Sequence, residues 1–108
     1  MYIQLLYFDD CPNWEAVHAM LTDILAELGL QERIDLVRVP DDEAAQRLRF
    51  FGSPTVRVQD KDVEPDRGQR DYMLGCRLYW VNGRPQGAPP REWLVTAIRN
   101  GTPYPTRS

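Results

Sequence analysis

Residues 5–14 read Leu-Leu-Tyr-Phe-Asp-Asp-Cys-Pro-Asn-Trp, an apolar run and a short turn that end in a cysteine. The near-continuous apolarity of residues 2–8 predicts a strand that is buried on both faces of a sheet. Pro12 suits the first position of a helix, where its missing N–H costs nothing. Apolar residues then recur at steps of three and four as far as Leu28, which predicts an amphipathic helix that ends at Gly29.

This arrangement puts Cys11 at the start of a helix. The first N–H groups of a helix have no internal partners, so this end carries partial positive charge and favours a thiolate. Three nearby carboxylates, those of Asp9, Asp10 and Glu15, oppose the effect, so we expect only modest activation. The alternative is that Cys11 serves as a small apolar residue at the end of a strand.

The composition is typical of one small globular domain. The chain has 108 residues, of which 43% are hydrophobic and 27% charged, and we expect one domain over residues 1–100 and a loosely held tail over residues 101–108. No apolar run reaches membrane-spanning length, and no basic region precedes the first strand, so we expect a cytoplasmic protein without a membrane partner. The net charge of −3 and the scattered Lys and Arg residues argue against nucleic acid.

Potential metal and cofactor ligands are few. Cys11, Cys76 and His18 are the only soft ligands, and none has the spacing of a zinc site, so we expect no metal. No Gly-rich phosphate loop precedes a helix, and no cofactor is expected. Two cysteines in a reducing compartment favour free thiols or a pair that cycles.

The rest of the chain predicts an α/β fold in the order β-α-β-α-β-β-α. A strand over residues 33–39 completes a crossover unit, so the first two strands should be parallel neighbours. A helix follows Pro40, with an apolar face made by Ala44, Ala45, Leu48 and Phe51, and Gly52 ends it. After a strand at residues 55–58 come a turn at residues 59–62, a polar loop over residues 64–75, a strand at residues 76–81 and a closing helix at residues 91–98. We expect a central sheet of about four mixed strands with helices on both faces.

The Ser53–Pro54 bond is a candidate cis bond, because it lies between a helix-ending glycine and a strand. With Cys-Pro at a helix start and Gly-Ser-Pro-Thr before a strand, the chain resembles the thioredoxin superfamily. It is also similar to small bacterial thioredoxin-like proteins that carry C-P-x-W, some of them associated with organomercurial lyases. The resemblance covers most of the chain and implies that Pro54 is cis and lies beside Cys11.

The resemblance also implies site roles. Cys11 takes the place of the nucleophile, Ser53 and Pro54 would hold an extended partner through the backbone, and Pro12 would support the thiol. Trp14 stands where a thioredoxin has its resolving cysteine, so no dithiol cycle is possible within the motif. Cys76, a small thiol or a partner could resolve a mixed disulfide instead. The alternative, favoured because Trp14 starts the apolar stripe of the helix, is that Trp14 only packs the helix on the sheet.

Three functions remain open from the sequence. The first is thiol-disulfide exchange or thiol transfer by Cys11, with a protein or small-molecule thiol or disulfide as partner. The second is a module whose thiolates bind a soft metal, an organomercurial or an oxidant. The third is a redox-inactive interaction domain that keeps the fold. The oligomeric state does not follow from the residues.

Strand geometry predicts that the two thiols are separate. The strand at residues 55–58 starts beside Cys11 and runs away from it at about 3.3 Å per residue, so an antiparallel strand that opens with Cys76 would begin more than about 10 Å away. A disulfide needs Cα atoms within about 7 Å. We therefore expect separated free thiols, with Cys11 near the surface and more reactive than Cys76, unless the loop over residues 64–75 folds back.

Overall fold

The computed structural model describes residues 2–64, 72 and 74–100. In chain order its elements are β1 (Ile3–Tyr7), α1 (Asn13–Glu27), β2 (Ile34–Arg38), α2 (Asp42–Arg47), β3 (Thr55–Val58), β4 (Lys61–Asp62), β5 (Tyr79–Val81), β6 (Arg84–Gln86) and α3 (Arg91–Asn100). The predicted tail at residues 101–108 and most of the predicted loop at residues 64–75 lie outside the described residues. No helix in the described part of the chain is both long and apolar enough to cross a membrane.

The main sheet is mixed and has four strands in the order β2-β1-β3-β4. β1 and β2 are parallel, with Ile3 opposite Ile34, as the crossover unit predicts. β3 runs antiparallel to β1, with Leu6 opposite Thr55, so the start of β3 lies at the same end of the sheet as the end of β1. The expectation of about four mixed strands is confirmed.

Side chains of β1 alternate between two apolar clusters. Ile3 and Leu5 pack in one cluster with α1 and α3, and Leu6 packs in the other with Ala44 and Ala45 of α2. Because successive residues of a strand face opposite sides of the sheet, α1 and α3 cover one face and α2 covers the other. The predicted burial of this strand on both faces, and the helices on both faces, are therefore confirmed.

The second helix is shorter than predicted. α2 ends at Arg47, and Arg49 adopts a left-handed conformation with φ 55°, which breaks the apolar helical repeat. Phe50 is fully buried as a result, and Phe51 is only partly buried, so the assignment of Phe51 to the inward face is wrong. The guanidinium of Arg57 in β3 donates to the carbonyls of Leu48 and Arg49 at 2.8 and 2.9 Å. These bonds supply hydrogen-bond partners to backbone carbonyls just after the end of this helix.

The predicted strand at residues 76–81 is also wrong in extent and in pairing. Only Tyr79–Val81 forms a strand, and it pairs with β6 in a separate two-stranded sheet. The place beside β3 belongs to β4, because Gln59 and Asp60, with φ 54° and 66°, make a tight turn that leads the chain straight back onto β3.

Candidate thiol site

Cys11 lies in the turn that joins β1 to α1. Its N–H donates to the carbonyl of Phe8 at 3.0 Å, and the helix begins two residues later at Asn13, with Pro12 as its N-cap residue. Cys11 is 0% exposed, so the expectation that this thiol lies near the surface is wrong. The helix starts one residue later than predicted, because Pro12 is its N-cap residue, and the chain around Cys11 covers the sulfur completely.

The segment that precedes β3 reaches the same sulfur. The Cys11 thiol donates to the carbonyl of Ser53, with an Sγ to O distance of 3.4 Å. The Ser53–Pro54 peptide bond is cis, as expected, and Ser53 and Pro54 are buried. The hydroxyl of Tyr79 donates to the carbonyl of Pro54, which ties β5 to this segment. The structure thus brings together three residues that the sequence assigned to one site.

The backbone of Ser53 is paired with residues 75–77. Its N–H donates to the Gly75 carbonyl at 2.6 Å, and its carbonyl accepts the N–H of Arg77 at 2.8 Å. Cys76 therefore lies opposite Ser53 in an isolated parallel bridge. The backbone groups that were expected to hold an extended partner are thus occupied by the protein's own chain.

Both cysteines are free, but they are not separate. A hydrogen bond to Cys11 is the largest cause that raises the pKa of Cys76 to about 11, followed by burial and by the charge of Cys11. The prediction of distant thiols is wrong because it assumed that Cys76 opens an antiparallel strand along β3. In the structure, Cys76 pairs with Ser53 before β3 begins, at the end of the sheet where Cys11 lies.

Both cysteines are joined to Ser53. The Cys11 thiol donates to the Ser53 carbonyl, and Cys76 lies opposite Ser53 in the parallel bridge. Cys76 is the exposed member of the pair and Cys11 the buried one. An external reagent therefore has access to Cys76 but not to Cys11.

The acidic turn before Cys11 is partly compensated. Asp9 accepts a hydrogen bond from the Nε of Arg38 at 2.5 Å, and this bond and the charge of Asp9 raise the pKa of Arg38. Both side chains are exposed, so the pair adds little to stability. One of the three carboxylates that lie near Cys11 in the sequence is thus paired with a cation on the neighbouring strand.

Trp14 lies one turn into the motif and contacts β1. Its ring stacks on Tyr7 with centroids 4.2 Å apart and planes at 26°, and the side chain packs against the core cluster that includes α1 and α3. These contacts account for Trp14 as a packing residue. Pro12 is exposed beside it, and Asn13 lies so close to Gly87 that a Cβ at Gly87 would collide with its amide.

Sequence reasoning missed Arg77, which is almost completely buried next to Cys76. Its guanidinium reaches Asp62 and Glu64, at the end of and just beyond β4. Arg77 and Tyr79 are buried while Cys76, Leu78 and Trp80 are exposed, which is the two-residue alternation of an extended chain. The sequence gives no signal for this orientation, because the apolar residues Leu78 and Trp80 occupy the exposed positions of the pattern.

Comparison of the chain with protein families, with curated proteins and with solved structures finds no significant match. Within residues 2–64, 72 and 74–100, no group of three or more His, Cys, Asp or Glu side chains could hold a metal ion.

Proposed function

We propose that this chain is a thioredoxin-like thiol–disulfide exchange protein whose working thiols are Cys11 and Cys76. The meeting of both cysteines at Ser53 carries the proposal. The Cys11 thiol donates to the Ser53 carbonyl, Cys76 lies opposite Ser53 in a parallel bridge, and the interaction with Cys11 raises the pKa of Cys76. The superfamily resemblance is supported by the order of the first five elements, by Cys11 just before α1 and by the cis bond before Pro54. The partner is a protein or small-molecule disulfide.

The first attack on an external disulfide needs a thiol that is both accessible and deprotonated. Cys76 is exposed, but a pKa of about 11 leaves on the order of one thiolate in 10,000 at pH 7. Cys11 is 0% exposed, so an external disulfide cannot approach its sulfur in this conformation. A small thiolate fraction only lowers a rate, whereas lack of access prevents the reaction, so we assign the first attack to Cys76 and the second to Cys11.

The exchange then runs in two balanced steps. The Cys76 thiol loses its proton to solvent and attacks an external disulfide RSSR, which forms a mixed disulfide and releases RS⁻. The Cys11 thiol loses its proton and attacks the Cys76 sulfur, which closes the Cys11–Cys76 disulfide and releases the second RS⁻. Two electrons pass from the protein dithiol to the external disulfide, and both leaving thiolates are protonated by solvent.

Mixed-disulfide trapping tests this order. Oxidised glutathione is added to the wild type and to the variants Cys11→Ser and Cys76→Ser, and the products are identified by non-reducing mass spectrometry. We expect an intramolecular disulfide in the wild type, a stable adduct at Cys76 in Cys11→Ser, and little adduct at the buried Cys11 in Cys76→Ser. An adduct on Cys11 that forms as fast as the one on Cys76 would reverse the assignment.

A second candidate is a soft-cation site, and the contact between the two thiols favours it as well. Two thiolates suit a soft ion such as Cu(I). Titration of the reduced protein with Cu(I) against a competing chelator distinguishes the two functions. Tight binding of one ion that requires both cysteines, without a disulfide in glutathione buffer, would favour the metal site. If the protein shows neither disulfide exchange nor Cu(I) binding, the redox-inactive interaction domain is the remaining function.

A further inference from the structure

Arg77 and Cys76 are neighbours that face opposite sides of the same extended segment. Cys76 is exposed, whereas only 1% of the Arg77 side chain is accessible. Adjacent side chains of an extended chain point in opposite directions. Contacts that fix the orientation of the Arg77 side chain therefore also fix the direction in which the Cys76 side chain points. The surroundings of Arg77 therefore bear on the geometry of the thiol pair.

The guanidinium of Arg77 is held by four hydrogen bonds. Nη1 and Nη2 donate to the two carboxylate oxygens of Asp62 at 2.8 and 3.0 Å, Nη2 also donates to Glu64 at 2.7 Å, and Nη1 donates to the hydroxyl of Thr55 at 3.0 Å. The ring of Tyr79 lies against the cation, with its centroid 4.2 Å from Cζ. The planar fork matches the carboxylate of Asp62 in a way that a lysine would not.

The balance of charge in this network is favourable to the cation. Burial alone would lower the pKa of Arg77, but Tyr79, Asp62 and Glu64 more than offset it, so the pKa lies above the usual range. Removal of Arg77 would take this cation away from the buried carboxylate of Glu64, which is costly. The network thus fixes the side chain of Arg77 to Thr55 of β3, to Asp62 of β4 and to Glu64.

The backbone of Arg77 is fixed at the same time. Its N–H donates to the Ser53 carbonyl at 2.8 Å, the same oxygen that accepts the Cys11 thiol. Gly52 makes this approach possible, since a Cβ there would lie 3.0 Å from the Cβ of Arg77. Arg77 is therefore attached at both its backbone and its guanidinium, and the residue before it is Cys76.

We propose that Arg77 is the positioning residue that holds Cys76 against Cys11. This inference rests on the proposed thiol exchange for its importance, but the placement of Cys76 can be tested without turnover. Arg77 does not touch the reacting sulfurs through its guanidinium. It acts through the backbone, because it holds Cys76 in place and so raises the effective concentration of the Cys76 thiol at Cys11. The stability of an intramolecular disulfide depends on this effective concentration.

The test compares Arg77→Lys and the double variant Arg77→Met/Glu64→Gln with the wild type. The second substitution removes the charge of the buried carboxylate that pairs with Arg77. Arg57→Met is the matched control. Arg57 is a partly buried arginine on β3, and its guanidinium donates to the Leu48 and Arg49 carbonyls at the end of α2. Each protein is equilibrated with reduced and oxidised glutathione, and the fraction of Cys11–Cys76 disulfide gives an equilibrium constant.

We expect this equilibrium constant to fall about tenfold or more in the double variant, to fall less in Arg77→Lys, and to stay near the wild-type value in Arg57→Met. The pH profile of alkylation at Cys76 is a second readout, which a merely structural role would not move. It should shift to lower pH in the Arg77 variants, because a loosened Cys76 loses its hydrogen bond to Cys11. Circular dichroism and a cooperative thermal transition verify folding.

The outcomes separate this inference from the proposed function. A folded Arg77→Lys protein with the wild-type equilibrium constant and the wild-type pH profile would overturn the positioning role. A wild type that forms no disulfide in glutathione buffer would overturn the exchange function. In that case the pH profile of Cys76 still decides the role of Arg77, since it reports the thiol contact in the reduced protein. If the double variant does not fold, Arg77→Lys alone carries both readouts.

Discussion

Cys76 lies opposite Ser53 in an isolated parallel bridge, although 22 residues that include β3 and β4 separate them along the chain. This relationship explains how a chain with only one cysteine in its helix-start motif brings a second one to the same place. The carbonyl of Ser53 accepts hydrogen bonds from both Cys11 and Arg77, so one backbone oxygen joins the buried thiol to the segment that carries the exposed one.

The titration of Cys76 depends on Cys11. Replacement of Cys11 by Ala removes the hydrogen bond and the charge that raise the pKa of Cys76 from 9.0 to about 11, and only burial continues to raise it. A lower pKa gives more thiolate at neutral pH, and even with the lower intrinsic nucleophilicity we expect alkylation of Cys76 at pH 7 to be up to about tenfold faster. Rates of iodoacetamide labelling, followed by mass spectrometry from pH 6 to pH 12, measure this shift.

The control is Asp10→Asn, which removes a charge from the turn before Cys11 but keeps the thiol. Its Cys76 profile should stay near that of the wild type, because the pKa of Cys76 is raised by Cys11 and by burial only. Unchanged labelling of Cys76 in Cys11→Ala would contradict the contact between the two thiols.

The backbone of Ser53 stabilises the fold, whereas its side-chain hydroxyl destabilises it. The hydroxyl is buried and makes no hydrogen bond to any of the described residues. An unpaired buried polar group costs about 1–3 kcal/mol, so Ser53→Ala should leave the free energy of unfolding unchanged or raise it by about 1 kcal/mol. Urea denaturation of the reduced protein checks this, with Thr55→Ala as the contrast. Thr55 donates to the Gly52 carbonyl and accepts from Arg77, so its replacement should be destabilising.

Gly52 is required for the close approach of Arg77. Its φ of 108° disfavours any other residue, and a Cβ would lie 3.0–3.2 Å from the Cβ, Cα and N of Arg77. Gly52→Ala should therefore lower the free energy of unfolding by about 2–3 kcal/mol. Gly83→Ala is the control, since Gly83 also has a positive φ of 78° but open space around it, and it should cost only about 1 kcal/mol. Equal losses in the two variants would show that the contact with Arg77 is unimportant.

Trp14 stabilises the start of α1 by stacking on Tyr7. Trp14→Ala should lower the free energy of unfolding by about 2–3 kcal/mol, and Trp14→Phe, which keeps an aromatic ring, by about 1 kcal/mol. Trp80→Ala serves as the matched control, because Trp80 is 46% exposed and should contribute much less. If Trp14→Ala were as stable as Trp80→Ala, the packing role of Trp14 would be wrong.

The elements that the sequence predicts well are those whose signal is local. β1 is an apolar run, α1 has a clear three-to-four repeat and a glycine stop, and the parallel pairing of β1 with β2 follows from the handedness of the crossover. The location of Cys11 before α1 follows from the same short-range patterns. The local sequence made the Ser53–Pro54 bond only a candidate cis bond, and the superfamily resemblance supplied the expectation that it is cis.

The pairing of Cys76 was not available, because it depends on where a long connection returns. The sequence indicates a strand at residues 76–81, but nothing in it shows that β4 has already taken the edge of β3 or that Ser53 still has an unpaired N–H and carbonyl. Burial of Cys11 has the same origin, since a turn residue is exposed until another segment covers it. These are long-range contacts, and a local pattern does not encode them.

The two thiols also mark the ends of a large part of the fold. The chain from Cys11 to Cys76 contains α1, β2, α2, β3 and β4. A bond between the two sulfurs would close a covalent ring of about 65 residues and reduce the conformational entropy of the unfolded chain, which corresponds to about 4 kcal/mol in favour of the native state. Thermal stability would then depend on the redox potential of the solution, and the oxidised protein would unfold at a higher temperature than the reduced one.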